Sequence, residues 1–138
     1  MRVFVWVDVK RYEIGTPEFF HCFFSTICVR LEEDQWGSVF PGFMLEFYTG
    51  RLSHRKAQAA LEELDAIREG LEALPPNALV WDYDDLDRLP PWDDDASDGL
   101  TSAAEYFFTS AGASLFETLR EAFECGVRTR QDVRIVKS

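Results

Sequence analysis

The run from Asp82 to Asp98, DYDDLDRLPPWDDDASD, holds the densest set of chemically capable side chains in the chain. Eight aspartates face one arginine, Arg88, so this run carries −7 of the chain's net −11 and leaves −4 for everything else. Aspartates at such density can act as acid and base, ligate a hard cation, or present a field to a cationic partner. Acid and base work needs one carboxylate raised by an apolar pocket beside a second that stays ionised. Nothing in the run supplies such a pocket. Calcium ligation has a partial register, since Asp94, Asp98, Gly99 and Glu105 fall at the first, fifth, sixth and twelfth positions of an EF-hand-like loop. Ala96 supplies no ligand at the third, however, and Pro90-Pro91 stand where the entering helix should be. The third use fits the residues better. Trp81, Tyr83 and Trp92 are interleaved with the charges, and in such a surface carboxylates speed encounter while desolvated aromatic rings hold the complex. The expected partner-binding residues are Asp82, Tyr83, Asp84, Asp85, Asp87, Trp92, Asp93, Asp94, Asp95 and Asp98. The plainer alternative is a solvated acidic loop in which Trp81 and Trp92 are lids on the core.

The remaining candidates for chemistry are few. His21 and Cys22 are adjacent, but neighbours on a helix point about 100° apart, and no second ligand follows at helical spacing. His54 has no nucleophile beside it. There is no GxSxG elbow and no glycine-rich phosphate loop. Cys22, Cys28 and Cys125 form an odd set without zinc-ligand spacing, each within an apolar helical pattern, and read as core residues of a reducing compartment. The expectation is therefore a protein without catalytic activity, cofactor or metal.

The chain's 138 residues suit one domain, residues 1–138, and its 46% hydrophobic and 14% aromatic content provides a core. The acidic balance disfavours phosphate backbones and anionic membranes and favours a basic protein partner. The N-terminal apolar run is interrupted at Asp8 and lacks a cleavage site, and no stretch is long enough to span a membrane. The expected location is the cytoplasm.

Alternation of Val3, Val5, Val7 and Val9 with Arg2, Phe4, Trp6 and Asp8 predicts a strand, whose partly apolar second face leaves room for a homodimer. After a turn at residues 13–15, Thr16 as N-cap and Pro17 at the first position begin a helix to about Glu33, with Phe20, Phe23, Phe24, Ile27 and Leu31 on one stripe. A second helix is expected from Phe40-Pro41 with Gly50 as its stop. A third, capped by Ser53, presents Ala57, Ala60, Leu61, Leu64, Ile67 and Leu71. Strands are expected at residues 78–83 and 105–109, then a helix capped by Ser110 and stopped by Gly126, then a strand over residues 132–136. The order βαααββαβ describes an α+β fold, a small mostly antiparallel sheet of about four strands with helices on one face.

These segments also carry a resemblance. YEIGTPEFFHCFFSTICVRLE, WGSVFPGFMLEFYTGRLS and PPWDDDASDGLTSAAEYFFTSAGASLFETLREAF, in that order, resemble the bacterial polymorphic-toxin immunity proteins of the family numbered 70. The most specific pieces are Pro90-Pro91-Trp92, Thr101-Ser102 and Tyr106 to Ser110, supported by Phe23 to Ile27. The resemblance implies a small cytoplasmic protein that binds and neutralises a toxin encoded beside it, with no reaction of its own and no catalytic residues to carry over. Asp93 stands where the family often has glycine. The alternatives from the residues alone are an acidic adaptor, a nucleic-acid mimic that occupies a basic protein, and, more remotely, a small enzyme.

Overall fold

A computed structural model describes residues 1–87 and 102–138. Valines at every second position bury one face of β1 (Val3–Val7), and the chain then reverses through Asp8 and Val9 into β2 (Lys10–Gly15). The two-residue turn places Asp8 at φ +56 and leaves Val9 exposed. Tight hairpin turns need positive φ, which aspartate tolerates better than a β-branched residue. The strand expected to run through Val9 therefore ends at Val7. Lys10 to Gly15, expected to lead into a turn, instead forms the second strand of the hairpin.

Helix α1 (Pro17–Leu31) starts as its sequence dictates. Thr16 Oγ1 accepts from Phe19 N–H at 3.2 Å and Pro17 occupies the first turn. The Phe40-Pro41 segment forms a single π-helical turn, Gly42–Phe47, in which Tyr48 N–H reaches back to the Phe43 carbonyl. The wider turn puts Phe43, Met44 and Phe47 all into the core. Glu63 accepts from the N–H groups of Gly42 and Phe43 at its start. Gly50, at φ +120, ends the segment as expected, and Arg51–Leu52 adds a two-residue strand, β3. Ser53 caps a 3-10 turn that runs into α2 (Ala57–Glu72), whose six expected apolar residues are all buried. A 3-10 turn, Pro76–Ala78, follows.

Two expected strands are absent at their predicted places. Residues 79–83 run alongside α1 without joining the sheet. Residues 103–106 form a 3-10 turn, with Ala103 N–H bonded to the Leu74 carbonyl at the end of α2, and beyond it only an isolated bridge joins Phe108 to Ser114. The tight turn at Gly112, φ +84, delays the last helix, α3 (Leu115–Thr129), so that Ser114 and not Ser110 is its N-cap. Gly126 does not stop α3. It lets the helix approach the sheet, because a Cβ there would stand 3.0 Å from Val133 Cγ2 and 3.1 Å from the Gln131 carbonyl. Arg130, left-handed at φ +57, ends the helix instead. Strand β4 (Val133–Lys137) completes a four-stranded antiparallel sheet of order β2-β1-β4-β3.

The protein is thus α+β, with a different strand order along the chain from the one expected. Val3, Val5, Val7 and Val133 face the helices. Between sheet and helices lies a phenylalanine cluster in which Phe23 touches Phe43, Phe107 and Phe116, and Phe47 meets Phe123 at 4.9 Å. No helix among the described residues is long and apolar enough to cross a membrane.

Candidate functional site

One flank of α1 organises the acidic segment. His21, the adjacent Ser25 and Thr26, and Arg30 stand on successive turns of the helix, and each bonds to the chain between Ala78 and Tyr83. Arg30 Nε donates to the Ala78 carbonyl at 2.8 Å. Thr26 Oγ1 accepts from Val80 N–H at 3.0 Å while donating to the Cys22 carbonyl at 2.8 Å. Ser25 Oγ accepts from Tyr83 N–H at 2.9 Å. His21 Nε2 lies 3.1 Å from Asp82 Oδ1. These bonds explain the missing strand: Val80 and Tyr83 find their acceptors in buried hydroxyls of a helix, so the segment needs no neighbouring strand to satisfy them.

The histidine sits in a short polar chain. Its Nδ1 is 3.0 Å from Tyr48 Oη. An ionised carboxylate can only accept, so Nε2–H is the donor toward Asp82, and Nδ1 faces the phenol. The Tyr48 phenol is pushed above its ordinary value by burial first and by Asp84 and Asp82 next, which keeps it protonated. A cleft of about 340 Å³ opens beside this chain, lined by the apolar side chains of Val3, Phe20, Trp81 and Ile135 together with His21, Tyr48 and Asp82. Among the described residues its lining contains no serine, threonine or cysteine, and Glu18 and Lys137 complete its polar part. His21, Asp82 and Asp84 offer ligand atoms within 4.8 Å of one another and are the group among the described residues that could hold a metal ion. Asp82 Oδ1 is already shared between His21 and Asp84 N–H, the latter at 2.9 Å.

The expected partner-binding residues divide by depth. Trp81 is buried in the core, as the lid reading required. Tyr83 is half-buried with its ring 5.3 Å from Trp36. Asp82 is largely covered, its side chain 15% exposed, whereas Asp84 is 80% exposed. Asp85, Leu86 and Asp87 are exposed, and Asp85 Oδ1 accepts from Asp87 N–H at 3.2 Å. Trp92, Asp93, Asp94, Asp95 and Asp98 lie outside the described residues, as do Asp94, Asp98 and Gly99 of the calcium register. Sequence reasoning set His21 aside because it sought ligands on the same helix. Its partners come from Tyr48 and from Asp82, 61 residues away.

Several other titratable groups are buried in the fold or bonded into it. Burial pushes the Cys22 thiol up to about 12 and the Cys28 thiol up to about 11, which removes both as nucleophiles at neutral pH. Glu32 is buried and accepts from the N–H groups of Gly37, Val39 and Phe40 at 2.9 to 3.0 Å. His54 donates its backbone N–H to Asp132, which also binds Arg51 at 2.7 Å.

No curated protein and no solved structure matches the chain. The model of one family does, and it spans residues 5–135, from the first strand to the last. The phenylalanine-rich α1, the Phe40 to Gly50 turn and the acidic segment fastened to α1 all fall within the matched region, and on that match the chain belongs to the family described as immunity protein 70.

Proposed function

We propose that this protein binds a cognate bacterial toxin in the cytoplasm of the cell that makes it, and neutralises that toxin by occupying its surface, without a reaction of its own. The observation that carries the reading is the exposure of Asp84, Asp85 and Asp87 on a backbone fastened to a buried helix through Ser25 and Thr26. Fixed charges lose little freedom on docking, so their field is available for both encounter and orientation. The partner that suits them is a toxin with a basic surface, and exposed Leu86 among the three carboxylates offers an apolar contact. In this reading Asp82 and Tyr83 support the segment from beneath.

Co-expression with the toxin encoded beside the gene tests it. Protection and a co-purifying complex are the expected result, and the absence of both would end the proposal. The triple change Asp84→Asn, Asp85→Asn, Asp87→Asn then tests the surface. Its association rate should fall about tenfold at low salt and converge on that of the unaltered protein as salt rises. An equal rate at low salt would move the contact elsewhere.

A further inference from the structure

The sheet has a second face, turned away from the helices, on which the arginines Arg11, Arg134 and Arg51 outnumber the one glutamate, Glu13. By strand alternation Phe4 and Trp6 of β1 point there, with Glu13 and Val136 paired to Phe4 and Arg11 and Arg134 paired to Trp6 on either side, Glu13 accepting from the Ser110 hydroxyl. Arg51 of β3 pairs with Arg134. One cross-strand row therefore reads Arg11, Trp6, Arg134, Arg51 across all four strands, with neighbouring members about 5 Å apart.

The place of Arg134 in this row is not explained by stability. Like charges directly opposite on paired strands are unfavourable, yet Arg51 and Arg134 are so placed. The chain has 25 acidic residues for 14 lysines and arginines. Even so, neither Arg11 nor Arg134 has a carboxylate partner among the described residues, while Arg51 is paired with Asp132. Arg11 lies over the Trp6 ring at 4.3 Å. The indole Nε1 of Trp6 is buried with no hydrogen-bond partner. Phe4, Trp6 and Val136 are only half-buried. The row thus combines two guanidiniums without a carboxylate partner among the described residues and an apolar strip.

We propose that this face is a second docking surface, for a protein segment that carries carboxylates on either side of an apolar side chain. The carboxylates go to Arg11 and Arg134, whose planar forks suit them, and the apolar side chain lies along Phe4, Trp6 and Val136. Charge selects this occupant over the others. A symmetric sheet-on-sheet dimer would bring one net-positive face against its copy. A nucleic acid carries a phosphate at every nucleotide, whereas this strip offers two unpaired guanidiniums, Arg11 and Arg134, and sets the carboxylate of Glu13 beside Phe4. The surface is separate from Asp84, Asp85 and Asp87, which the helix layer carries, so the proposal stands whether or not those residues contact a toxin.

The test uses the full chain, labelled with ¹⁵N, and two probes at low salt: a peptide of alternating glutamate and leucine, and single-stranded oligothymidine of equal charge. The peptide should shift the Trp6 indole N–H and the backbone amides of Arg11 and Arg134, leaving those of residues 82–87 in place. The pair Arg11→Ser and Arg134→Ser should weaken peptide binding at least about tenfold, the scale of two lost charge-assisted pairs. Arg134→Ser alone relieves the repulsion with Arg51, so its thermal midpoint should not fall while its peptide binding weakens, which separates loss of binding from loss of fold. The proposal is overturned if the peptide does not bind, binds the double variant equally well, or shifts other residues. It is also overturned if oligothymidine binds more tightly on this face, or if sedimentation shows a dimer that the arginine changes dissociate.

Discussion

His21 Nε2 and Asp82 Oδ1 stand 3.1 Å apart although 61 residues separate them in the chain. Around this pair the acidic segment is drawn onto α1, and the first prediction concerns what holds it there. Thr26→Val keeps the volume of the side chain but removes the oxygen that accepts from Val80 N–H. A buried donor left unsatisfied costs about 1 to 3 kcal/mol. Denaturant unfolding should show a loss in that range, with faster amide exchange at Val80. Thr26→Ser, which retains the oxygen, should recover most of it. Equal stability of the valine variant would mean that Val80 N–H finds another acceptor.

A second prediction follows from Asp132. Its carboxyl is held well below its ordinary value, first by the backbone N–H of His54, then by the His54 ring and Arg51. A depressed carboxylate contributes stability that is present above its unfolded pKa and is lost as pH falls toward the folded one. Between about pH 6 and about pH 2 the unaltered protein should therefore lose more stability than Asp132→Asn. At neutral pH the variant should already be weaker by about 1.5 to 3 kcal/mol, the worth of hydrogen bonds to a charged group. Parallel stability curves for the two proteins would contradict this assignment.

Glu32 joins the end of α1 to the π-helical turn. It receives three backbone N–H groups across a loop in which Glu33 and Asp34 both have positive φ, a conformation that non-glycine residues adopt at some cost. Glu32→Ala should destabilise the protein by about 3 kcal/mol or more, since three buried donors lose their acceptor together. Exchange at Gly37, Val39 and Phe40 amides should accelerate most. A cost below about 1 kcal/mol would mean water replaces the carboxylate without loss.

The phenylalanine cluster gives a fourth. Phe43 is fully buried and touches Phe23, Phe24, Phe47 and Phe123. Phe43→Ala should cost about 3 to 5 kcal/mol by chemical denaturation, and Phe43→Leu much less, because the cavity is smaller.

The thiols give a fifth. With Cys22 and Cys28 raised by burial and Cys125 buried as well, a disulfide reagent at mildly alkaline pH should label none of the three until denaturant is added. Rapid labelling of the folded protein would place a thiol at the surface.

Much of this protein is local in origin. The valine alternation of β1, the Thr16-Pro17 start of α1 and the apolar stripes of α1 and α2 are visible in the sequence, because each depends on residues within a few positions of one another. The ordered motifs that place the chain in its family are likewise linear. The tertiary structure decided the rest. Lys10 to Gly15 is an edge strand whose exposed charges hide its period, and β3 is too short to have one. Residues 79–83 have the composition of a strand, but Thr26 and Ser25 accept from the N–H groups of Val80 and Tyr83. His21 found partners on two other segments, and the arginine row arises only when four strands lie side by side. The aspartates were legible as charge from the start. That Asp82 is tied down beneath Asp84, Asp85 and Asp87 depends on contacts across tens of residues, which no local pattern encodes.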